Sequence, residues 1–158
     1  MINNKRILLL ALAFPILALV SLTIYKKNIL STGVEVTFPI TGYDPRDLLS
    51  GHYLIYRINY GIEDLCPSNT ERLTAYVCIE PKKFSYLSPD GCSKFIRGVC
   101  NGNRFEAGVE KFFVPEDKAA QLDLDIRSGS ASIVLSVTPD GRAQVKNLLI
   151  NGLPWNQH

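Results

Sequence analysis

The sequence predicts a mainly β (α+β) protein, in which one N-terminal transmembrane helix precedes an antiparallel β domain with one short helix. Three observations predict it: an uncharged apolar stretch before residue 26, alternating apolar and polar residues in the remainder, and Pro, Gly and Asp between the alternating segments. The length of 158 residues leaves room for one domain after the apolar stretch. We expect an anchor at 1–27, a linker at 28–33 and an extracytoplasmic domain at 34–158, with a cysteine-containing insertion at 65–102.

Residues 7–25 read ILLLALAFPILALVSLTIY and contain no charged side chain. As an α-helix this stretch would measure about 28 Å, close to the roughly 30 Å of hydrocarbon in a bilayer. A cleaved signal peptide is the alternative, but it would have a shorter apolar stretch followed by small residues. Val20, Leu22 and Ile24 lie where those small residues would be needed. We therefore expect a retained single-pass anchor.

The cysteines indicate on which side of the membrane the domain lies, because basic residues flank the apolar stretch at both ends. Four cysteines without a Cys-x-x-Cys pattern favour disulfides over a zinc site or a redox motif. Disulfides indicate a periplasmic domain on the inner (cytoplasmic) membrane, and four reduced thiols in a cytosolic domain are the alternative. Neighbouring cysteines close short loops easily, so the expected pairs are Cys66 with Cys78 and Cys92 with Cys100.

The charge distribution argues against a nucleic-acid partner. The formal net charge is +2, from 17 basic and 15 acidic side chains. Four of the basic residues flank the apolar stretch, so the rest of the chain is slightly acidic. Its remaining basic residues are dispersed among Tyr, Pro, Asp and Gly, whereas nucleic-acid binders usually present a basic stripe. No cofactor is expected.

The first half of the domain is predicted as strands and turns. Residues 34–38 (VEVTF) alternate as a half-buried strand does, and residues 39–51, with two prolines and two glycines, are predicted as a structured loop. Residues 53–60 (YLIYRINY) are predicted as a central strand. Within the insertion, residues 73–80 (LTAYVCIE) are predicted as a strand and residues 88–91 (SPDG) as a turn.

The second half is predicted to contain a strand, a helix and a hairpin. Residues 104–114 have strand character. Pro115 and the two acids that follow it indicate the start of a helix, and Ser128 and Gly129 indicate its end. Residues 131–138 and 143–150 are predicted as a β-hairpin whose tip, PDGR, forms a type I turn with glycine in the left-handed position. The Pro154-Trp155 tail is expected to form a flap.

Three segments resemble the GDYxxLxY family of small membrane-anchored bacterial proteins. They are DPRDLLSGHY at 44–53, GVEKFFVPE at 108–116, and the closing hairpin with Asp140-Gly141 and Ile150-Asn-Gly152. The resemblance covers about residues 34–152, interrupted by the cysteine-bearing stretch. The sequence departs from the eponymous motif at His52, Tyr56 and Ile58, which stand for its acid, leucine and final tyrosine, so the resemblance does not carry an acid-dependent role to position 52.

Several constellations could carry chemistry, and each has a structural alternative. Ser50, His52 and Asp47 lie close in sequence, but no G-x-S-x-G occurs and adjacent strand residues face opposite sides. The stretch at 44–53 also resembles, distantly, the loop of membrane signal peptidases, in which a serine nucleophile precedes a proline. Thr41 and Tyr43 occupy that neighbourhood here. A serine or threonine hydrolase is therefore the alternative function.

Metal binding and acid/base catalysis are the other possibilities. The histidines, His52 and His158, lie at a strand start and at the last residue, which does not favour a zinc site. Glu110 and Glu116, with Glu106 nearby, could form a carboxylate pair for acid/base catalysis. Glu106 and Glu110 are expected on one strand face, however. On such a face, solvated ion pairs with Arg57, Arg97 or Arg104 are the ordinary outcome. No catalytic or metal-binding residue is assigned.

The sequence thus favours a non-catalytic, membrane-anchored accessory or adaptor protein that binds another envelope protein, such as a polytopic partner in the same membrane. The expected binding surface is the loop that contains Asp44, Arg46, Asp47, His52 and Tyr53, because exposed loops on a rigid scaffold commonly carry recognition. A pilin-like subunit is disfavoured because residues 7–25 contain no acid.

Overall fold

The computed structural model describes residues 4–42, 53–63, 65–67 and 72–157. A long N-terminal helix, antiparallel sheets and one further short helix confirm the predicted fold class. The helices are α1 (Asn4–Thr32) and α2 (Glu116–Arg127), with a 3-10 turn at Trp155–Gln157. The strands are β1 (Val34–Gly42), β2 (Tyr53–Ile58), β3 (Leu73–Glu80), β4 (Lys83–Ser85), β5 (Lys94–Asn101), β6 (Arg104–Glu106), β7 (Lys111–Phe113), β8 (Ala131–Val137), β9 (Ala143–Ile150) and β10 (Leu153–Pro154).

Helix α1 is long and apolar enough, over Leu8–Thr32, to cross a membrane. It continues to Thr32 through the residues for which a polar linker is expected. The reason is that its last turn packs on the β domain: Ile29 is buried, and its carbonyl accepts the Ser136 hydroxyl at 2.8 Å and the Gly33 amide at 3.1 Å. Only Gly33 separates α1 from β1, so the helix joins the domain without a linker.

The first sheet has six strands in the order β10-β9-β8-β1-β2-β7. Strand β1 extends to Gly42, so the predicted loop does not begin at Pro39. Pro39 is accommodated because the edge on which it lacks an N–H faces Asn59, just beyond the end of β2. The Pro39 carbonyl on that edge accepts the Asn59 amide at 2.9 Å. Strand β2 ends at Ile58, two residues before the predicted end, because the Asn59 side chain accepts the Gly61 amide at 2.8 Å and forms a turn.

The closing hairpin and the short helix form where the sequence predicts them. Strands β8 and β9 pair antiparallel, the Thr138 carbonyl accepts the Gly141 amide at 2.9 Å, and Gly141 has φ 80°. Helix α2 buries Leu122 and Ile126, four residues apart, against β1 and β2. The expected flap at the tail is instead short strand β10 on β9.

The second sheet has four strands in the order β4-β3-β5-β6, and most of it comes from the cysteine-bearing stretch. The predicted disulfide pairing is wrong: Cys66 bonds Cys100, and Cys78 bonds Cys92, with Cα atoms 5.7 and 5.6 Å apart. Strand β5 is the reason, because it separates Cys92 from Cys100 by about 20 Å of extended chain. Its antiparallel pairing with β3 places Cys100 opposite Leu73, and Cys66 approaches that same end.

The segment from 104 to 114 is not one strand. Strand β6 pairs with β5 in the second sheet, whereas β7 pairs with β2 in the first. Gly108, at φ 80°, lies in the crossover between them. A left-handed residue interrupts a strand, and glycine adopts that conformation at little cost. The segment therefore links the two sheets.

One hydrophobic core lies between the two sheets. The Tyr60 ring makes edge contacts with Phe38 of β1 at 5.1 Å and with Phe105 of β6 at 5.5 Å, so aromatic packing spans both sheets. Trp155 lies 5.9 Å from Phe112, although β10 and β7 are opposite edges of the first sheet. The first sheet is therefore curved strongly enough to bring its edges together.

Candidate functional site

The predicted binding loop leaves the first sheet at the end of β1 that is remote from α1. Asp44, Arg46, Asp47 and His52 lie outside the described residues, and Tyr53 begins β2, where it pairs with Phe113. Strand β1 begins immediately after α1 and has nine residues, which advance by about 26 Å at 3.3 Å per residue. The ends of the loop are thus well separated from the helix.

A cleft of about 970 Å³ lies beside β2, between β2, β7 and the second sheet. The sequence does not predict this cleft, because the crossover between β6 and β7 that shapes it is not recognised as a break. Its walls combine aliphatic and aromatic side chains with charged ones; they include Ile55, Ile58, Ile62, Leu65 and Phe113 together with Arg57, Arg104, Glu106, Glu110 and Lys111.

Two tyrosines of the predicted central strand and its end form the floor of this cleft. The Tyr56 side chain is buried and its hydroxyl donates to the Val109 carbonyl, while its backbone amide donates to the Glu110 carbonyl at 3.2 Å. Tyr60 is also buried, and its hydroxyl has no hydrogen-bond partner among the described residues. Burial, reinforced by the Glu110 charge, raises the pKa of both tyrosines well above the ordinary value. Both rings therefore remain neutral and act as packing groups, and the Tyr56 hydroxyl is also a hydrogen-bond donor.

Two glutamates line the cleft, but they do not come from one strand. Glu106 is on β6 and Glu110 follows the crossover, so the expectation that they share one face is wrong. Glu110 Oε1 accepts the Ala107 amide at 2.6 Å, and Glu106 Oε1 accepts Asn101 Nδ2 at 3.5 Å. The Glu110 carboxylate thus stabilises the crossover between the sheets.

The residues considered for catalysis and metal binding are placed as follows. Thr41 lies on β1 directly opposite Arg57 of β2, and Ser50 lies outside the described residues. Both histidines, at 52 and 158, are outside them as well. Within the part of the chain that the structure describes, no group of three or more His, Cys, Asp or Glu side chains could hold a metal ion.

A family model described as GDYXXLXY protein matches residues 15–148. The matched region begins inside α1 and ends in β9, so it contains the second half of the apolar segment as well as both sheets. No curated protein and no solved structure matches the chain.

Proposed function

The chain belongs to the GDYXXLXY family, and on this premise we propose that it is a single-pass membrane protein whose β domain acts as a non-catalytic adaptor for another envelope protein. The observation that carries the proposal is the direct junction of α1 and β1. A single residue connects an apolar helix to a strand that extends about 26 Å to the predicted binding loop. The domain can therefore hold the two ends of this loop, Gly42 and Tyr53, at a fixed height above a bilayer.

Insertion of residues 1–27 as the anchor is supported by the exposure of the apolar side chains of α1. Leu10, Phe14 and Leu17 are at least 65% exposed, and such a row of apolar groups needs a lipid or protein environment. The two disulfides support a location of the domain at 34–158 on the periplasmic side of the inner membrane, because disulfides persist in oxidising compartments.

We place the contact surface for the partner on Asp44, Arg46, Asp47, His52 and Tyr53. Support comes from the cleft next to β2, whose aliphatic and charged walls suit a protein segment. Glu106 and Glu110 line this cleft and accept hydrogen bonds from within the domain, so this wall of the cleft is preorganised for binding.

Site-specific photocrosslinking in intact membranes tests the adaptor function. A photoreactive residue at position 50 should capture one partner, and charge reversal by Arg46→Glu or Asp47→Lys should reduce the yield at least about tenfold, as expected when a central contact is lost. Lys82→Glu is the matched control, since Lys82 is exposed in the turn between β3 and β4. Its yield should remain unchanged.

Mass spectrometry with and without reduction verifies that each variant retains both disulfides and hence a folded domain. Capture that persists undiminished in Arg46→Glu and Asp47→Lys would contradict the assignment of this surface. Capture that falls equally in Lys82→Glu would show a nonspecific dependence on charge and would contradict it as well.

A further inference from the structure

A second, smaller groove of about 580 Å³ lies where α1 meets the β domain. We call it the juxtamembrane groove. One side is formed by Tyr25 and Ile29 of α1, and the other side includes Arg72, Arg97 and Arg142. Three arginines therefore line a groove that is bounded on one side by the last turns of an apolar helix.

The position along α1 places the groove at the depth of lipid headgroups. The uncharged stretch ends at Tyr25, which lies at the edge of the hydrocarbon if the helix spans the bilayer. Ile29 is four residues further, about 6 Å along the axis. The headgroup layer is roughly 5–7 Å thick on each side, so a groove bounded by Tyr25 and Ile29 occupies that layer. Tyrosine is also a residue that favours this interface.

The two sheets bring the arginines together. The Arg97 amide of β5 donates to the Gly141 carbonyl at 2.7 Å, which joins the second sheet to the turn between β8 and β9. Arg142 follows that glycine, and its guanidinium lies 5.4 Å from the centre of the Tyr25 ring. Arg72 directly precedes β3, which pairs with β5. The arginines thus come from three segments, each fixed by backbone pairing or a ring contact.

Three arginines and two glutamates line the juxtamembrane groove, and Arg142 is also paired with Asp140, so the excess positive charge comes from the lysines of α1 beside it. Glu106 and Glu110 line it together with the three arginines, and both accept hydrogen bonds from the domain itself. Arg142 Nε donates to Asp140 at 2.6 Å, which leaves its terminal amino groups as further donors. Lys26 and Lys27, exposed on the last turns of α1, add positive charge nearby.

We propose that the juxtamembrane groove binds the phosphodiester headgroup of an anionic phospholipid through Arg72, Arg97 and Arg142. The inference rests on the proposed insertion of α1 in the bilayer. Guanidinium groups recognise phosphate oxygens through paired N–H donors, and an anionic headgroup supplies the negative charge that this groove attracts. The exposed Tyr25 side chain contacts the glycerol and the upper acyl chains of the bound lipid.

Native mass spectrometry of the full chain, released from nanodiscs of equal parts phosphatidylglycerol and phosphatidylcholine, tests this proposal. The protein should retain phosphatidylglycerol preferentially. Each single change, Arg72→Gln, Arg97→Gln or Arg142→Gln, should lower that preference by up to about fivefold, the loss expected for one basic residue at an anionic surface. The triple variant should abolish it. The matched control is the triple change Lys82→Gln, Lys118→Gln and Arg127→Gln, which removes three exposed charges outside the groove.

The outcomes separate this inference from the proposed anchor. Wild-type protein that does not enter nanodiscs would contradict the anchor itself, whereas inserted protein without a lipid preference would contradict only the groove assignment. An equal loss of phosphatidylglycerol in the control triple variant would also overturn the assignment. Binding of inorganic phosphate that depends on the same arginines, without any lipid preference, would assign the groove to free phosphate instead. Retention of both disulfides in every variant confirms that the domain is folded.

Discussion

Two isosteric substitutions at the floor of the large cleft should have opposite effects on stability. Tyr56→Phe removes the hydroxyl that donates to the Val109 carbonyl, so it should cost about 1–2 kcal/mol, the usual loss when a buried hydrogen bond is deleted. Tyr60 as a whole residue is 4% exposed, and its hydroxyl has no hydrogen-bond partner among the described residues. Tyr60→Phe removes this hydroxyl. Because burying an unpaired hydroxyl is itself unfavourable, this change should leave the free energy of unfolding equal or raise it by about 1 kcal/mol.

The expected difference between the two variants is about 2 kcal/mol, which corresponds to roughly 4–8 °C in melting temperature for a chain of this size. Thermal unfolding of the full chain in detergent, with both disulfides intact, measures this difference through the fluorescence of Trp155, the single tryptophan. The volumes of the two phenylalanine variants are matched, so each serves as the other's packing control. A Tyr60→Phe variant destabilised as much as Tyr56→Phe would refute the reasoning, because it would show that the Tyr60 hydroxyl is hydrogen-bonded.

Three further predictions follow from the structure. Peptide mapping without reduction should recover Cys66 linked to Cys100 and Cys78 linked to Cys92; any peptide joining Cys66 to Cys78 would contradict the arrangement of the second sheet. Gly33→Ala should lower stability by about 1–3 kcal/mol, because the added methyl group would overlap the Ser136 hydroxyl and lie 3.0 Å from the Ile29 carbonyl. An unchanged melting temperature would contradict this close approach. Above about pH 10 the domain should lose stability as the pH rises, since Tyr56 and Tyr60 remain protonated in the folded state at a pH where the unfolded chain releases their protons; absorbance at 295 nm during alkaline titration should show the delayed ionisation of these two tyrosines.

The sequence predicts best those elements that short-range chemistry determines. The hairpin of β8 and β9 forms because Pro139, Asp140 and Gly141 each suit one position of a type I turn. Helix α2 has its start and stop signals within the segment, and its two buried residues are one turn apart. Alternation along 34–38 and 73–80 likewise predicts strands that the structure contains. In these segments the local signal and the tertiary packing agree.

The differences arise where long-range pairing overrides local signals. Pro39 and Gly42 are turn residues by composition, but pairing of β1 with β8 includes Pro39 and pairing of β1 with β2 extends the strand to Gly42. Strand β5 follows a turn and carries a glycine, Gly98, whose buried position against Phe105 could be recognised only after β6 is placed. Without β5, nearest-neighbour disulfides are the simplest choice; with β5, they are geometrically excluded.

The candidate sites show the same division between local and long-range information. The loop at 44–53 is a candidate from its composition alone, and its position at the remote end of β1 becomes apparent only from the strand that carries it. Neither the large cleft nor the juxtamembrane groove has a local sequence signal, because each combines residues from both sheets. Arg97 and Arg142 are 45 positions apart in sequence, and a backbone hydrogen bond from Arg97 to Gly141, the residue before Arg142, brings their segments together. No motif in one strand would reveal that contact.

The juxtamembrane groove lies near the start of β1, and the predicted binding loop follows the other end of this strand, at Gly42, so β1 links the two. The hydrogen bond from Ser136 to the Ile29 carbonyl fixes the end of α1 against β8, and β1 pairs with β8 over six residue pairs. A lipid held by Arg142 and Tyr25 would therefore orient the sheet itself rather than a flexible connection. Because strands in a paired sheet transmit orientation along their length, a headgroup bound at the membrane would set the direction in which the loop at 44–53 faces a partner. Lipid composition and partner capture should then change together in protein that carries all three groove arginines.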